Sequence, residues 1–131
     1  MQRILHNTEN FMNPFVFHSP TKVTFGEGAS WTAAEVAKDF GATKTFIVTD
    51  AILMKTGILK PIIDAFEENS YCLFTDVPSD SDVDTVDRAA VVAREFGANC
   101  VLAIGGGSVI DTAKVVNICL SLGGALLDYQ A

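Results

Sequence analysis

Residues 100–114 read CVLAIGGGSVIDTAK, and this stretch decides the fold. Its first five residues, 100–104, are apolar, as in a strand that helices cover on both faces. Three glycines, 105–107, follow directly, and Ser108 precedes apolar positions at helical spacing that predict a helix over residues 109–122. A strand, a glycine-rich turn and a helix in this order are typical of one unit of a parallel α/β sheet.

The glycines of this turn indicate an anionic ligand. Glycine has no Cβ, so a ligand can approach the backbone closely, and the free N–H groups at a helix start attract negative charge. The pattern differs from GxGxxG, because Ile110 stands at the third glycine position, and no Gly-Lys-Ser/Thr follows as in a P-loop. A tight turn without a ligand is the alternative, although one or two glycines would suffice for it.

Strands and helices alternate in the same way before the glycine turn. Short apolar runs predict strands over residues 45–49 and 71–75. Helical spacing and end signals predict three helical regions. The first begins with Ser30 as its N-cap and ends at Gly41. The second covers residues 51–68, with an interruption at Gly57 and a new start near Pro61, and the third covers residues 83–96 and ends at Gly97. The alternation predicts a doubly wound parallel α/β sheet in one domain, residues 1–131.

Further extended pieces are expected at both ends of this sheet. Short apolar stretches flank a break at Ser19-Pro20, and Gly26 and Gly28 close the segment, which predicts an N-terminal extended edge pair over residues 15–25. An exposed sheet edge can pair between two copies of the chain, so this segment offers a surface for a homodimer. Residues 125–127 are apolar and predict the start of one more strand.

The overall composition excludes several partners. With 49% hydrophobic and 19% charged residues, the chain is expected to fold as a globular domain. Its net charge is −7 and its nine Lys and Arg are scattered, so nucleic acid is not expected, and backbone N–H groups would have to hold a bound dinucleotide. Neither a signal peptide nor a membrane span is predicted. The three cysteines form no CxxC pair, which favours buried thiols in the cytoplasm: Cys72, Cys100 and Cys119.

The segment GGGSVIDTAK, residues 105–114, resembles the cofactor signature of the iron-containing alcohol dehydrogenases, a family related to glycerol dehydrogenase and dehydroquinate synthase. Three more segments are similar to the family in matching order: FVFHSPTKVTFGEGA at 15–29, FIVTDAIL at 46–53 and LFTDVPSDSDVDTV at 73–86. The resemblance implies a Rossmann-like domain, similar to the N-terminal domain of dehydroquinate synthase. It also implies the nucleotide-binding half of an enzyme that transfers a hydride between an alcohol or hydroxyacid and NAD.

The same resemblance implies which residues near the glycine turn hold the cofactor. Contact with the pyrophosphate is implied for four of them: Gly105, Gly106, Gly107 and Ser108. Asp111 would lie near the nicotinamide, and Lys114, one helical turn further, would contact the cofactor or support Asp111. The alternative for this pair is a charge in the first turn of a helix with its solvated i+3 partner.

Two more candidate residues follow the other strands. Asp50 ends the first strand, at the carboxyl edge where open α/β sheets bind ligands. By the resemblance, its carboxylate accepts hydrogen bonds from the adenosine ribose and repels a 2′-phosphate, which favours NAD over NADP. A simple N-cap of the next helix is the alternative, and both roles can coexist. Ser79 stands where many relatives have the Asn of Val-Pro-Asn-Pro-Thr, which leaves its contact with the cofactor open.

The metal of the family is not expected in this chain. In the relatives, an Asp and three His of a following helical domain hold the Fe²⁺ or Zn²⁺, whereas this sequence has only His6 and His18, without metal-ligand spacing. We therefore interpret the chain as a truncated dinucleotide-binding domain that binds NAD weakly and turns over no alcohol or aldehyde by itself.

There are two alternatives to this interpretation. A self-sufficient α/β module that binds a nucleotide or phosphate without redox chemistry is the main alternative. Dehydroquinate synthase is disfavoured, because SVIDTAK, residues 108–114, resembles the alcohol dehydrogenase form of the signature.

Overall fold

The computed structural model describes residues 16–80 and 82–129 of the chain. Three parallel strands form one sheet: β1 (Thr45–Val48), β2 (Tyr71–Phe74) and β3 (Cys100–Ala103). β1 lies between the other two, and Thr45 is level with both Tyr71 and Cys100, so the strands end at a common edge. The three predicted strands are confirmed, each one residue shorter than its apolar run.

The described residues form five α-helices, of which the first precedes the sheet and the others lie between or after its strands: α1 (Ala33–Asp39), α2 (Ala51–Thr56), α3 (Lys60–Ile63), α4 (Val83–Phe96) and α5 (Gly107–Leu122). Two 3₁₀ helices, Ala29–Thr32 and Leu126–Tyr129, lie before α1 and after α5. No helix in the described part of the chain is both long and apolar enough to cross a membrane.

β1 is the centre of a core with helices on both faces. All four of its residues are buried. Phe46 and Val48 join one cluster with residues in and after β2 and with residues of α4 and α5: Phe74, Val77, Val86, Ala89, Ala93, Val109, Ala113 and Val116. Thr45 and Ile47 alternate to the opposite face, where Thr45 lines a small pocket together with residues of α1. This arrangement confirms the predicted doubly wound, Rossmann-like class.

Helix α4 begins and ends where the sequence predicts. Asp82 is its N-cap, and Oδ1 of Asp82 accepts a hydrogen bond from the Thr85 N–H at 2.8 Å. Gly97 ends the helix with a φ of 76°, a left-handed conformation that glycine adopts without steric cost. The break between α2 and α3 falls at Gly57 as predicted, and Pro61 lies in the first turn of α3.

The start of α1 differs from the prediction. Ser30 does not cap this helix, because it lies inside the 3₁₀ helix Ala29–Thr32, and an N-cap residue needs a non-helical backbone. Thr32 takes the N-cap position instead. Its hydroxyl donates back to the Ala29 carbonyl at 2.8 Å and accepts nothing from α1.

The N-terminal extended edge pair is not formed in the described residues. Phe15 and the polar leader before it lie outside them, and residues 16–25 contain no strand. Four apolar side chains of this segment are more than 80% exposed: Val16, Phe17, Val23 and Phe25. No apolar burial therefore offsets the entropy that would be lost by ordering the segment as a strand. The prediction of an edge pair is wrong for residues 16–25.

The predicted strand at residues 125–127 is also wrong, because carboxylates satisfy the N–H groups that a strand would use for pairing. The Ala125 N–H donates to Oδ2 of Asp128 at 2.8 Å, and the Leu126 N–H donates to Oδ1 of Asp87 in α4 at 2.9 Å. The segment forms a 3₁₀ helix held against α4.

The three cysteines are free thiols. Cys119 is buried, whereas Cys72 and Cys100 are partly exposed. Burial raises the pKa of all three thiols, which disfavours the reactive thiolate. The prediction of buried thiols is confirmed for Cys119, whereas Cys72 and Cys100 are only partly buried.

Candidate functional site

The loops that follow the three strands meet at the carboxyl edge of the sheet. They form an open groove of about 410 Å³. Its walls come from the start of α2, the loop after β2 and the start of α5: Asp50, Ala51, Ile52, Val77, Pro78, Ser79, Gly106, Gly107, Ser108 and Val109. Five predicted site residues thus lie around one groove, namely Asp50, Ser79, Gly106, Gly107 and Ser108.

Asp50 reaches this groove from the end of β1. It is the N-cap of α2, and its Oδ1 accepts a hydrogen bond from the Leu53 N–H at 2.8 Å. The N-cap role, which the sequence left as an alternative, is therefore formed. An ionised carboxylate has about four acceptor positions, so capping leaves capacity for further hydrogen bonds. The predicted contact with a ribose stays a prediction.

The three glycines serve different purposes. A Cβ on Gly105 would lie 2.7 Å from Cγ2 and 2.9 Å from Cβ of Val109, a buried residue of α5. On Gly106 or Gly107 an added Cβ would meet no atom within 4 Å. Gly105, which does not line the groove, lets α5 pack closely on the end of β3. Gly106 and Gly107 leave space in which a ligand can approach the backbone.

Residues of the first turn of α5 line the groove. The first hydrogen bond inside the helix runs from the Ile110 N–H to the Gly106 carbonyl at 3.1 Å. The N–H groups of Gly107, Ser108 and Val109 precede it, and Gly106 at the N-cap has no side chain to satisfy them. Together with the helix dipole, these groups favour an anion.

Ser108 connects the glycine turn to the loop after β2. Its hydroxyl donates a hydrogen bond to the backbone carbonyl of Ser79. The two residues are 29 positions apart, and no pattern in the sequence signals this bond. Sequence reasoning predicted both residues for the site, but as separate contacts of a cofactor.

A second cavity of about 350 Å³ adjoins the groove and shares Ser79 and Ser108 with it. Asp111 lines this cavity, and Lys114 does not. The Lys114 Nζ lies 3.5 Å from Oδ1 of Asp111, and the two side chains are 70% and 74% exposed. This is the solvated i,i+3 pair that the sequence left as the alternative, and such exposed pairs contribute little to stability. A contact of either residue with a cofactor stays a prediction.

Carboxylates, and no basic side chains, line the two cavities within the described residues. Asp50 lines the groove, while Asp80, Asp82 and Asp111 line the second cavity. Hydrogen bonds from Thr85 hold the pKa of the Asp82 carboxyl below its usual value. An anion at this edge would be held by backbone N–H groups and the dipole of α5, in line with the net charge.

Sequence reasoning missed part of the groove. Ile52, Val77 and Pro78 form its walls, and only their positions just after strands could have indicated this.

Across residues 16–80 and 82–129, no group of three or more His, Cys, Asp and Glu could hold a metal ion. The described residues therefore do not fit the metal of the family.

The sequence matches known proteins over most of its length. A family model described as iron-containing alcohol dehydrogenase matches residues 20–130. The sulfoacetaldehyde reductase of Bilophila wadsworthia is 32% identical over 117 residues, which are 88% of this chain and 30% of that protein.

Solved structures share the fold. The NADH-dependent butanol dehydrogenase A of Thermotoga maritima has a TM-score of 0.81 and 30% identity, over 89% of this chain and 30% of that one. The sulfoacetaldehyde reductase of Bifidobacterium kashiwanohense, solved in complex with NAD⁺, has a TM-score of 0.80 and 26% identity, over 90% of this chain and 31% of that one. The chain spans about 30% of the length of these proteins.

Proposed function

The chain belongs to the iron-containing alcohol dehydrogenase family, and we propose that it forms the NAD-binding part of an NAD-dependent alcohol dehydrogenase or reductase. One observation carries the proposal: Gly106, Gly107 and Ser108, at the start of α5, line the same groove as Asp50, at the carboxyl edge of a parallel sheet. Dinucleotides bind open α/β sheets at this edge.

In this proposal each part of NAD has its own contacts. The pyrophosphate binds the N–H groups of Gly107 and Ser108, where negative charge is favoured. The adenosine ribose donates its hydroxyl hydrogen bonds to Asp50, whose charge would repel the 2′-phosphate of NADP. Ser108, Asp111 and the second cavity would receive the nicotinamide end. When bound, NAD would supply the hydride acceptor or donor, and these residues would position it.

For the whole protein we propose a small alcohol or aldehyde as substrate, by analogy with the enzymes named above. The relatives are about three times as long as this chain. We propose that the Fe²⁺ or Zn²⁺ and most of the substrate pocket belong to that remaining part.

We also propose a cytoplasmic location, since free cysteines suit a reducing compartment. Cell fractionation with an antibody would test this location.

Calorimetric titration of the 131-residue chain with NAD, NADP and adenosine tests the proposed function. We expect heat of binding with NAD, weaker binding of NADP and the weakest binding of adenosine, which lacks the pyrophosphate. Absence of NAD binding up to millimolar concentration would reject the proposal. Equal binding of inorganic pyrophosphate and NAD would instead favour a general phosphate-binding module.

A further inference from the structure

The hydroxyl of Ser108 has a single proton, and it is donated to the carbonyl of Ser79. The phosphate oxygens of NAD near neutral pH are hydrogen-bond acceptors, so the same proton cannot also serve them. If Ser108 contacts the pyrophosphate while this bond is formed, it does so through its backbone N–H. In this geometry the hydroxyl binds the Ser79 carbonyl instead.

We propose that Ser108 is a positioning residue whose hydroxyl holds the loop of residues 77–80 against the first turn of α5, and so sets the width of the nucleotide groove. In this inference the identity of the ligand rests on the proposed function, whereas the position of the loop does not. It separates two roles within one residue, because the N–H is proposed to bind phosphate and the hydroxyl to hold the loop of residues 77–80.

The position of the bond supports this role. Val77 is buried in the core cluster and fixes the base of the loop, whereas Pro78, Ser79 and Asp80 are exposed. Pro78 and Ser79 line the groove together with Asp50, Gly106 and Gly107. Since Ser79 and Ser108 line both the groove and the second cavity, their bond lies where the two meet. A dinucleotide that reaches from Asp50 to Asp111 must pass this bond.

The side of the bond that belongs to α5 is firmly placed. The Thr112 hydroxyl donates to the Ser108 carbonyl at 2.8 Å, and Val109, the next residue, is buried against the sheet. The exposed loop has no comparable burial beyond Val77. The bond therefore positions the loop relative to the helix, and not the helix relative to the loop.

The test compares the wild-type 131-residue chain with Ser108→Ala and Ser108→Thr. ¹⁵N relaxation gives the order parameters of the Ser79 and Asp80 amides without ligand, and calorimetry gives the NAD affinity. In Ser108→Ala we expect these order parameters to fall from about 0.85 to below about 0.6. We expect NAD to bind about fivefold more weakly, the effect of one neutral hydrogen bond. Ser108→Thr keeps the hydroxyl and should restore both values.

Ser70→Ala is the matched control, because the Ser70 hydroxyl also donates to a backbone carbonyl, that of Glu67, at 2.7 Å, away from the groove. It should change neither the order parameters at Ser79 and Asp80 nor the NAD affinity. If Ser108→Ala folds poorly, Ser108→Val against Ser108→Thr isolates the hydroxyl in side chains of equal shape.

Two results would overturn the inference. Weaker NAD binding in Ser108→Ala with unchanged order parameters would make the hydroxyl a direct phosphate ligand. Unchanged order parameters and unchanged affinity would leave the hydroxyl without a role. Failure of the wild-type chain to bind NAD would reject the proposed function alone, since the order parameters still report whether the hydroxyl positions the loop.

Discussion

Asp50 makes one hydrogen bond as the N-cap of α2 and is proposed to make others to a ribose. The two roles can be separated, because serine also caps helices but has no charge. In Asp50→Ser we expect the preference for NAD over NADP to fall about tenfold or more, since hydrogen bonds to a charged group are lost and the 2′-phosphate is no longer repelled. Calorimetric titration with both cofactors measures this ratio.

Asp50→Ala is the companion variant. It removes the cap as well as the charge, so we expect it to lose about 1 kcal/mol in the free energy of unfolding, measured in urea, whereas Asp50→Ser loses little. An unchanged ratio of NAD to NADP affinity in both variants would leave Asp50 with the N-cap role only.

The glycines differ in a way that mutation can reveal. In Gly105→Ala the new Cβ would lie 2.7 Å from the Val109 side chain, so we expect a loss of about 1–3 kcal/mol in the free energy of unfolding. In Gly107→Ala the Cβ meets no protein atom, so we expect stability to be unchanged or slightly higher, because alanine favours helix. NAD should nevertheless bind about tenfold more weakly, because the methyl group occupies space beside the phosphate.

Urea unfolding and NAD titration of both variants measure these effects. Gly107→Ala with normal NAD affinity would contradict the proposed path of the pyrophosphate. Gly105→Ala with normal stability would show that α5 can move away from β3 at little cost.

Among the elements, α4 offers a test of pH dependence at its start. Hydrogen bonds from Thr85 lower the pKa of Asp82 in the folded chain, so its contribution to stability is present above the ordinary pKa of about 3.9 and is lost as the pH falls through the folded value. Asp82→Asn keeps an N-cap but does not titrate. We expect the melting temperature of the wild type to fall more steeply between pH 5 and pH 2 than that of Asp82→Asn.

Thermal unfolding followed by circular dichroism at several pH values measures both melting curves. Asp82→Ala, which cannot cap at any pH, should melt below Asp82→Asn at pH 7. A constant difference between the wild type and Asp82→Asn at every pH would mean that the charge of Asp82 does not stabilise α4.

Local signals explain which elements the sequence predicts. The ends of α4 were predictable because Asp82 and Gly97 act on backbone groups next to them in the chain. The cap at Ser30 and the strand at residues 125–127 were predicted wrongly, because competing hydrogen bonds change the backbone there. In the second case the competitor is Asp87, whose Oδ1 accepts from the Leu126 N–H, 39 residues away.

The candidate site divides in the same way. Asp50 and the glycine turn follow strands, so topology alone brings them to one edge. The bond between Ser108 and Ser79 depends on how two loops pack, so the pattern of residues in the sequence does not predict it. The role of Gly105 in the packing of α5 also cannot be predicted from the sequence, because it depends on the position of Val109.

For the whole molecule, the exposed apolar side chains of residues 16–25 remain a candidate surface for a homodimer, although they form no strand. Exposed apolar patches favour association. We expect sedimentation velocity to detect dimers that Phe17→Ser combined with Phe25→Ser dissociates. Ile58→Ser, at another exposed apolar position, should leave them intact. A wild-type chain that sediments as a monomer at all concentrations would contradict this prediction.

The chain as a whole is expected to separate cofactor binding from catalysis. NAD at ten times its Kd stabilises a binding protein by about 1.4 kcal/mol, so the melting temperature should rise by about 5 °C for a domain of this size. Hydride transfer also requires an alcohol held beside the nicotinamide and a group that eases loss of its proton, and residues 16–80 and 82–129 contain no cluster able to hold a metal for this purpose. We therefore expect no alcohol-dependent formation of NADH, with or without added Fe²⁺ or Zn²⁺, in an assay at 340 nm. Turnover of any alcohol by the purified chain would show that the groove at the carboxyl edge contributes catalytic groups as well as cofactor contacts.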